Sequence, residues 1–517
     1  MQQAFIDAMT QGYTFKGPSL RLGGAVYQGE TQAGTFIQVP LKTINRHGLI
    51  AGATGTGKTK TLQILAEQLA NEGVPSLLMD IKGDLSGIAQ PSSGHPKIDE
   101  RHAAIGFPFA ASGSTVELLS LSDEPGVRLR ATISEFGPVL LSKILDLTEV
   151  QEGIVAVLFK YCDDHGMPLV DLEDFKSILR YATDEGKEEI QREYGRISTA
   201  STGAIMRKLI ALEQQGADQF FGEPSFDVQD LCRLDAQGRG VVSILRLTDL
   251  QDRPQLFSTF MMSLLAEVYA SFPELGDPER PELVIFIDEA HLLFEEASDA
   301  LLDQIESIIK LIRSKGVGIY FCTQNPVDVP EEVLGQLGMK IQHALRAFTA
   351  KDRKAIKLAA QNFPLTDFYD TEELLTSLGI GEALVTVLDE KGRPTPLVHT
   401  MLRAPQSRMD ILSEAEIQAL IDQSELIASY NQAVDRESAH EMLKAKIEAA
   451  KEAEQQEKIL AQRQKAQTVS RRAAKDEPTL LEELSKNTMV RQVGRTVARE
   501  VARGLLGVLG LGGRRRR

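Results

Sequence analysis

Short continuous apolar runs recur along the chain, each closed by a polar or glycine-rich stretch and separated by segments of helical periodicity. Leu49-Ile50-Ala51, Ser76-Leu77-Leu78-Met79-Asp80, Val241 to Leu245, Leu283 to Ile287 and Gly318 to Cys322 predict strands apolar on both faces. Two more are predicted near Ile341 to Leu345 and Ala383 to Leu388. Helical patterns lie between them, from about Thr61 to Asn71, Gln255 to Ala270 and Asp299 to Arg313. Strands without a polar face, alternating with helices, predict an α/β fold with a mostly parallel sheet covered on both sides.

The alternation is interrupted in ways that suggest a domain plan. Residues 1–45 are glycine-rich with short β-like pieces and form a small N-terminal lead-in. Residues 46–90 and 226–404 carry the alternating core. Between them, residues 91–225 read as a mainly helical insertion, with a Pro/Gly/Ser-rich patch at Pro91 to Pro96 and helical patterns from about Val139 to Gln215. Residues 405–475, rich in Ala, Glu, Lys and Gln, predict an extended helical region. In the tail, 476–517, a helix over Met489 to Leu506 sets Val490, Val493, Val497, Val501 and Leu505 against Arg491, Arg495, Arg499 and Arg503, and Arg514 to Arg517 follow. Such a basic amphipathic tail suits docking on a protein partner, an acidic membrane or nucleic acid, or serves as a loosely ordered solubilising end.

Composition narrows the class. A chain of 517 residues with 42% hydrophobic content supports a large core and more than one domain. Its longest membrane candidate, Gly504 to Gly513, is about half the ~20 residues a spanning helix needs, and Met1 to Thr10 lacks the layout of a secretory signal, so a cytoplasmic location is expected. Cys162, Cys232 and Cys322 match no metal-binding spacing and read as free thiols. A net charge of −16 argues against an outer surface that coats nucleic acid, but leaves room for a basic pore inside a ring.

The candidate chemistry begins at Gly52-Ala53-Thr54-Gly55-Thr56-Gly57-Lys58-Thr59, which joins a predicted strand to a predicted helix that Lys60 helps to open. Glycines let successive N–H groups face inward, the helix N-terminus favours an anion, Lys58 reaches the β- and γ-phosphates and the Thr59 hydroxyl serves Mg²⁺. The strand Leu283 to Ile287 ends in Asp288-Glu289. The first carboxylate suits Mg²⁺, usually through water, and the second suits polarising a water for attack on the γ-phosphate, which points to hydrolysis rather than small-molecule phosphorylation. Gln324, ending the strand Ile319 to Thr323, is placed to contact both γ-phosphate and attacking water; its alternative is a turn residue before Pro326. Asp80 and Asp84 lie near the nucleotide or are solvated loop carboxylates.

These three elements in this order resemble the HerA/FtsK superfamily of ring-forming P-loop ATPases, most closely its HerA-like bacterial members. Arg46-His47-Gly48 leads into the loop, Ile287-Asp288-Glu289-Ala290-His291 forms the acidic strand end, and Arg313 to Gly318 leads into Thr323-Gln324. Gln342-His343-Ala344-Leu345-Arg346-Ala347-Phe348 adds to the likeness. The resemblance implies a RecA-like core, ATP as substrate with Mg²⁺, a homo-oligomer of hexameric form, and an arginine contributed across each subunit boundary, with Arg46, Arg313 and Arg346 as candidates. It implies a motor moving DNA or another polymer. The alternative is a nucleotide-controlled scaffold that recruits a protein partner without translocating DNA, since the short lead-in leaves little room for the N-terminal barrel that HerA itself carries.

Overall fold

The computed structural model describes residues 1–250, 253–294, 299–434 and 436–473. The predicted tail over 476–517 lies outside the described residues. Chain contacts divide the molecule into a unit from Met1 to Leu443 and a second from Lys444 to Arg517.

The first unit is built on one twelve-stranded sheet. Its strands are β1 (Ser19–Tyr27), β2 (Glu30–Pro40), β3 (Gly48–Ala51), β4 (Ser76–Asp80), β5 (Val116–Ser120), β6 (Val127–Arg128), β7 (Val242–Arg246), β8 (Leu283–Ile287), β9 (Val317–Thr323), β10 (Met339–Gln342), β11 (Glu382–Thr386) and β12 (Val398–Leu402). They lie in the order β2-β1-β12-β11-β10-β3-β9-β8-β4-β7-β5-β6. From β10 to β6 neighbours run parallel, and from β10 to β2 they run antiparallel. The apolar runs occupy the middle: every residue of β3, β4, β8 and β9 is buried, as expected of strands covered on both faces.

Two segments differ from the domain plan suggested by the sequence. The first 45 residues are no mere lead-in. Helix α1 (Gln2–Tyr13) buries Phe5, Met9 and Tyr13 on the antiparallel wing, and β1 and β2 extend the sheet itself. Phe5 stacks on Tyr27 at 4.8 Å, and the Tyr13 hydroxyl donates to the carbonyls of Pro396 and Val385 at 2.7 and 3.1 Å. The two Tyr13 bonds join positions more than 370 residues apart, which no local pattern can disclose. Within 91–225, β5 and β6 likewise complete the parallel edge, and the longer helices run over Pro96–Ile105, Ile133–Ile144, Glu149–His165, Leu172–Thr183, Lys187–Tyr194 and Thr199–Gln214.

After β12 the chain does not pass directly into an exposed helix. Residues 403–412 lie as a strap along α2 (Lys58–Asn71), the helix that leaves the glycine-rich loop. Glu67 on α2 is buried and accepts from the Gln406 N–H at 2.8 Å and from the N–H and hydroxyl of Ser407 at 3.1 and 2.9 Å. Gln63 donates to Arg408 O and Ser407 Oγ. Short helices follow at Glu414–Gln423 and Leu426–Tyr430, then a long one at Ala439–Ala473. That last helix, exposed from Glu448 to Arg463, has no apolar stripe to bury.

The Glu67 latch gives a stability prediction. Glu67→Ala leaves the Gln406 and Ser407 donors without their acceptor and costs about 3 kcal/mol. Urea denaturation midpoints measure it, and a change below about 1 kcal/mol would show that the strap is held by packing alone.

Candidate nucleotide site

Because β3 lies between β10 and β9 with all three parallel, their carboxyl ends open on the same edge, where open α/β sheets bind ligands. The glycine-rich loop leaves β3 there and is tied to both neighbours: Gly52 N–H donates to Thr323 O at 3.2 Å and Ala53 N–H to Ala344 O at 2.8 Å. Gly52 has φ +153°, and a Cβ on it would stand 2.5 Å from His343 Cβ; Gly57 has φ +119°. Only glycine fits these two turns. Gly57 also serves as N-cap of α2 without any side-chain cap, so the first N–H groups of that helix, including those of Thr59 and Lys60, remain open to an anion. Thr54 and Gly55 are exposed at the loop tip, whereas Thr56 is buried and its hydroxyl donates to Ala53 O at 2.7 Å.

Lys58 is buried, and its Nζ donates to Gly52 O at 2.7 Å and more weakly to Ala53 O at 3.4 Å. The ammonium thus sits in the cradle of its own loop. Burial lowers its pKa, with the charge of Glu289 acting in the opposite direction. His343, fully buried behind the loop, places Nε2 2.9 Å from Thr61 Oγ1, and burial followed by the nearby Lys58 charge brings its pKa down to about 4. A neutral imidazole here supports the loop without repelling Lys58.

Asp288 and Glu289 follow β8, with one strand, β9, separating β8 from β3. Both are buried. Burial, then the adjacent Glu289 charge, push Asp288 up to about 7. Its Oδ2 is buried and has no hydrogen-bond partner among the described residues. Buried carboxylate oxygens are seldom left so, and a hard divalent cation meets that need. Glu289 has φ +46°, an uncommon backbone for a non-glycine residue that concentrates at functional sites. Its Oε1 is ion-paired to Lys82 and its Oε2 lies 3.3 Å from His291 Nδ1. No cluster of three or more His, Cys, Asp or Glu suited to a metal occurs among the described residues. A cation here would therefore draw on Thr59, Asp288, water and the phosphates of the ligand itself.

Gln324 stands at the end of β9. The turn after it is held by Asn325 and Asp328, whose carboxylate accepts from Thr323 Oγ1 at 2.8 Å and the Asn325 N–H at 3.0 Å. This leaves the Gln324 amide on an open cleft of about 950 Å³ lined also by Ala53, Thr54, His291 and Arg346. Arg346 thus shares the loop's edge and donates to Thr376 O at 3.3 Å. Arg46 and Arg313 do not. They precede β3 and β9 at the amino edge of the sheet, where both meet Asp277 Oδ1, at 3.4 and 3.6 Å. Within one chain they are separated from the loop by the length of the strands.

One further sequence expectation is narrowed and one is corrected. The Lys60 side chain does not turn toward the loop: its Nζ donates to Met409 O at 2.7 Å in the strap, leaving only its backbone for a phosphate. Asp80 is not a solvated carboxylate, because it is buried and accepts from the N–H groups of Gly83, Asp84 and Leu85. Burial pushes it up to about 6. The residue missed was Lys82, on the turn Asp80 builds. Its partner lies 207 positions away, a pairing visible only once β4 and β8 are seen side by side.

A profile of the helicase HerA-like C-terminal family matches residues 26–517. Among curated proteins, the DNA double-strand break repair helicase HerA of Sulfolobus acidocaldarius is 21% identical over 359 residues, 68% of this chain and 64% of that protein. The DNA import protein CedB of the same organism is 24% identical over 366 residues, 69% of this chain and 52% of the relative. The chain therefore spans less than two thirds of the length of these relatives. The bacterial conjugative coupling protein TrwBdeltaN70, in its unbound monoclinic form, shares the fold at a TM-score of 0.50 and 15% identity, over 78% of this chain and all of that one. With a phosphate loop on a RecA-type sheet and a family match over nearly its whole length, the chain is a P-loop NTPase belonging to the helicase HerA-like C-terminal family.

Proposed function

We propose that the protein is a Mg²⁺-dependent ATPase that works as a ring-forming motor on DNA. One observation carries this reading: Lys58 and the Asp288-Glu289 pair, more than 200 positions apart in sequence, emerge at the same carboxyl edge of the sheet, after β3 and β8, with only β9 between those strands. The loop N–H groups and Lys58 hold the phosphates, while Thr59 and Asp288 hold the cation. Bound Mg²⁺ neutralises charge on the phosphate oxygens. Glu289, buried beside the cleft, takes the proton of the attacking water, and the free Gln324 amide orders that water against the phosphate.

The DNA component draws on the relatives, whose names describe a DNA repair helicase and a DNA import protein. Assembly draws on Arg46 and Arg313. Placed at the amino edge, they serve a phosphate site only when a second copy brings its own carboxyl edge against them, and a closed hexamer repeats that contact without leaving an end. Among the described residues no helix is long and apolar enough to cross a membrane.

Three outcomes are expected. Steady-state turnover rises with added DNA, and Glu289→Gln lowers kcat by about 10³ with ATP binding retained; turnover indifferent to every nucleic acid would rule out the DNA motor. Arg46→Ala and Arg313→Ala lower kcat by about 10²-fold or more at unchanged nucleotide affinity, whereas full turnover in both, and in Arg346→Ala, would remove the shared site. Asp288 has a raised pKa and so keeps its proton up to about 7. Cation binding must displace that proton at lower pH, so Mg²⁺ affinity falls by about tenfold per unit below 7, and calorimetric titration of Asp288→Asn shows no such slope.

A further inference from the structure

The pocket contains a contact that hydrolysis does not require. Lys82, on the turn after β4, is ion-paired to Glu289 Oε1, and His291 Nδ1 faces the other oxygen at 3.3 Å. The Lys82 ammonium thus occupies Oε1, while Oε2 has no hydrogen-bond partner among the described residues. Release of Lys82 would free the second oxygen and leave the whole carboxylate to the attacking water.

The two ends of this ion pair are not equally free. Glu289 is buried, and the Ala290 N–H behind it donates to Cys322 O at 2.9 Å, which fixes the acid against β9. Asp80 accepts three N–H bonds from the turn that follows and so sets the backbone around Lys82, whose side chain is 39% exposed. Lys58 is similarly engaged by Gly52 and Ala53 carbonyls. Two ammonium groups, of Lys58 and Lys82, thus stand near the two acids. A triphosphate adds several negative charges next to them, and phosphate oxygens compete with a single carboxylate for an ammonium.

We propose that Lys82 is a positioning residue that holds Glu289 inactive until the terminal phosphate of a nucleoside triphosphate draws its ammonium away. The exchange trades one ion pair for another, with no covalent bond changed. A diphosphate, lacking the terminal group, leaves the pair closed. The base is thereby released only when there is something to hydrolyse. This inference rests on the pocket being a nucleoside triphosphate site.

The test measures binding of fluorescent ADP and of a non-hydrolysable ATP analogue, with Mg²⁺, to the full chain. Lys82→Met weakens the ATP analogue by about tenfold with ADP within about twofold, while Lys82→Arg keeps wild-type discrimination and serves as the folding control. Glu289→Gln frees the ammonium and tightens the ATP analogue by about tenfold; the double variant Lys82→Met with Glu289→Gln behaves as Lys82→Met alone. Equal changes for both nucleotides, no change in either, or additive effects in the double variant overturn the proposal. Should Lys82→Met fail to fold, a Glu289→Gln protein with unaltered preference for the triphosphate overturns it equally. Failure of the pocket assignment looks different, since wild type would then bind neither nucleotide and Lys58→Ala would alter nothing.

Discussion

Everything at the site depends on one close approach, the packing of Gly52 against His343 where β3 ends between β10 and β9. A side chain at Gly52 would collide with the histidine, and the loop would then be forced away from the sheet edge. With the approach intact, the loop is bonded to both neighbouring strand ends, α2 starts without a cap, and Lys58 turns back over the cradle. Two parallel neighbours supply the rigidity that a curled, glycine-rich backbone lacks.

Burial then sets the chemistry. The strands carrying the acids are apolar on both faces, so Asp288 and Glu289 emerge from the core rather than from solvent. In that setting Asp288 holds its proton more firmly and an unpaired oxygen is costly, which is why the opposing lysines are as much a part of the site as the acids. The same low-dielectric surroundings that disfavour lone charges strengthen every contact that a phosphate or cation would make on arrival.

Much of this was legible in the sequence. The phosphate loop, the acid pair and the glutamine each lie at the end of an uninterrupted apolar run, and such runs are the clearest signal a parallel sheet leaves. Expectations fell short where meaning depended on partners distant in the chain. The amino-terminal strands look too few to form a barrel by themselves, yet they pair with β12 as part of one sheet. Lys60 looks like a phosphate ligand by its position after Thr59, but a strap nearly 350 residues later claims its side chain. Lys82 carries no local mark of its role, because the residue it meets, 207 positions on in the chain, follows β8, a neighbour of β4 in the sheet. Arg46 and Arg313 are readable as cations, while their gathering on one carboxylate at the far edge emerges only from the parallel register of β3 and β9.

The strap across α2 has a bearing on where the catalytic body ends. Because the acceptor Glu67 sits on the helix that bears Lys58, trimming the chain just after β12 would strip donors from a carboxylate in the core. A minimal fragment able to fold must run beyond Arg408, so the region that composition assigns to a carboxyl-terminal extension includes an integral wall of the nucleotide-bearing helix.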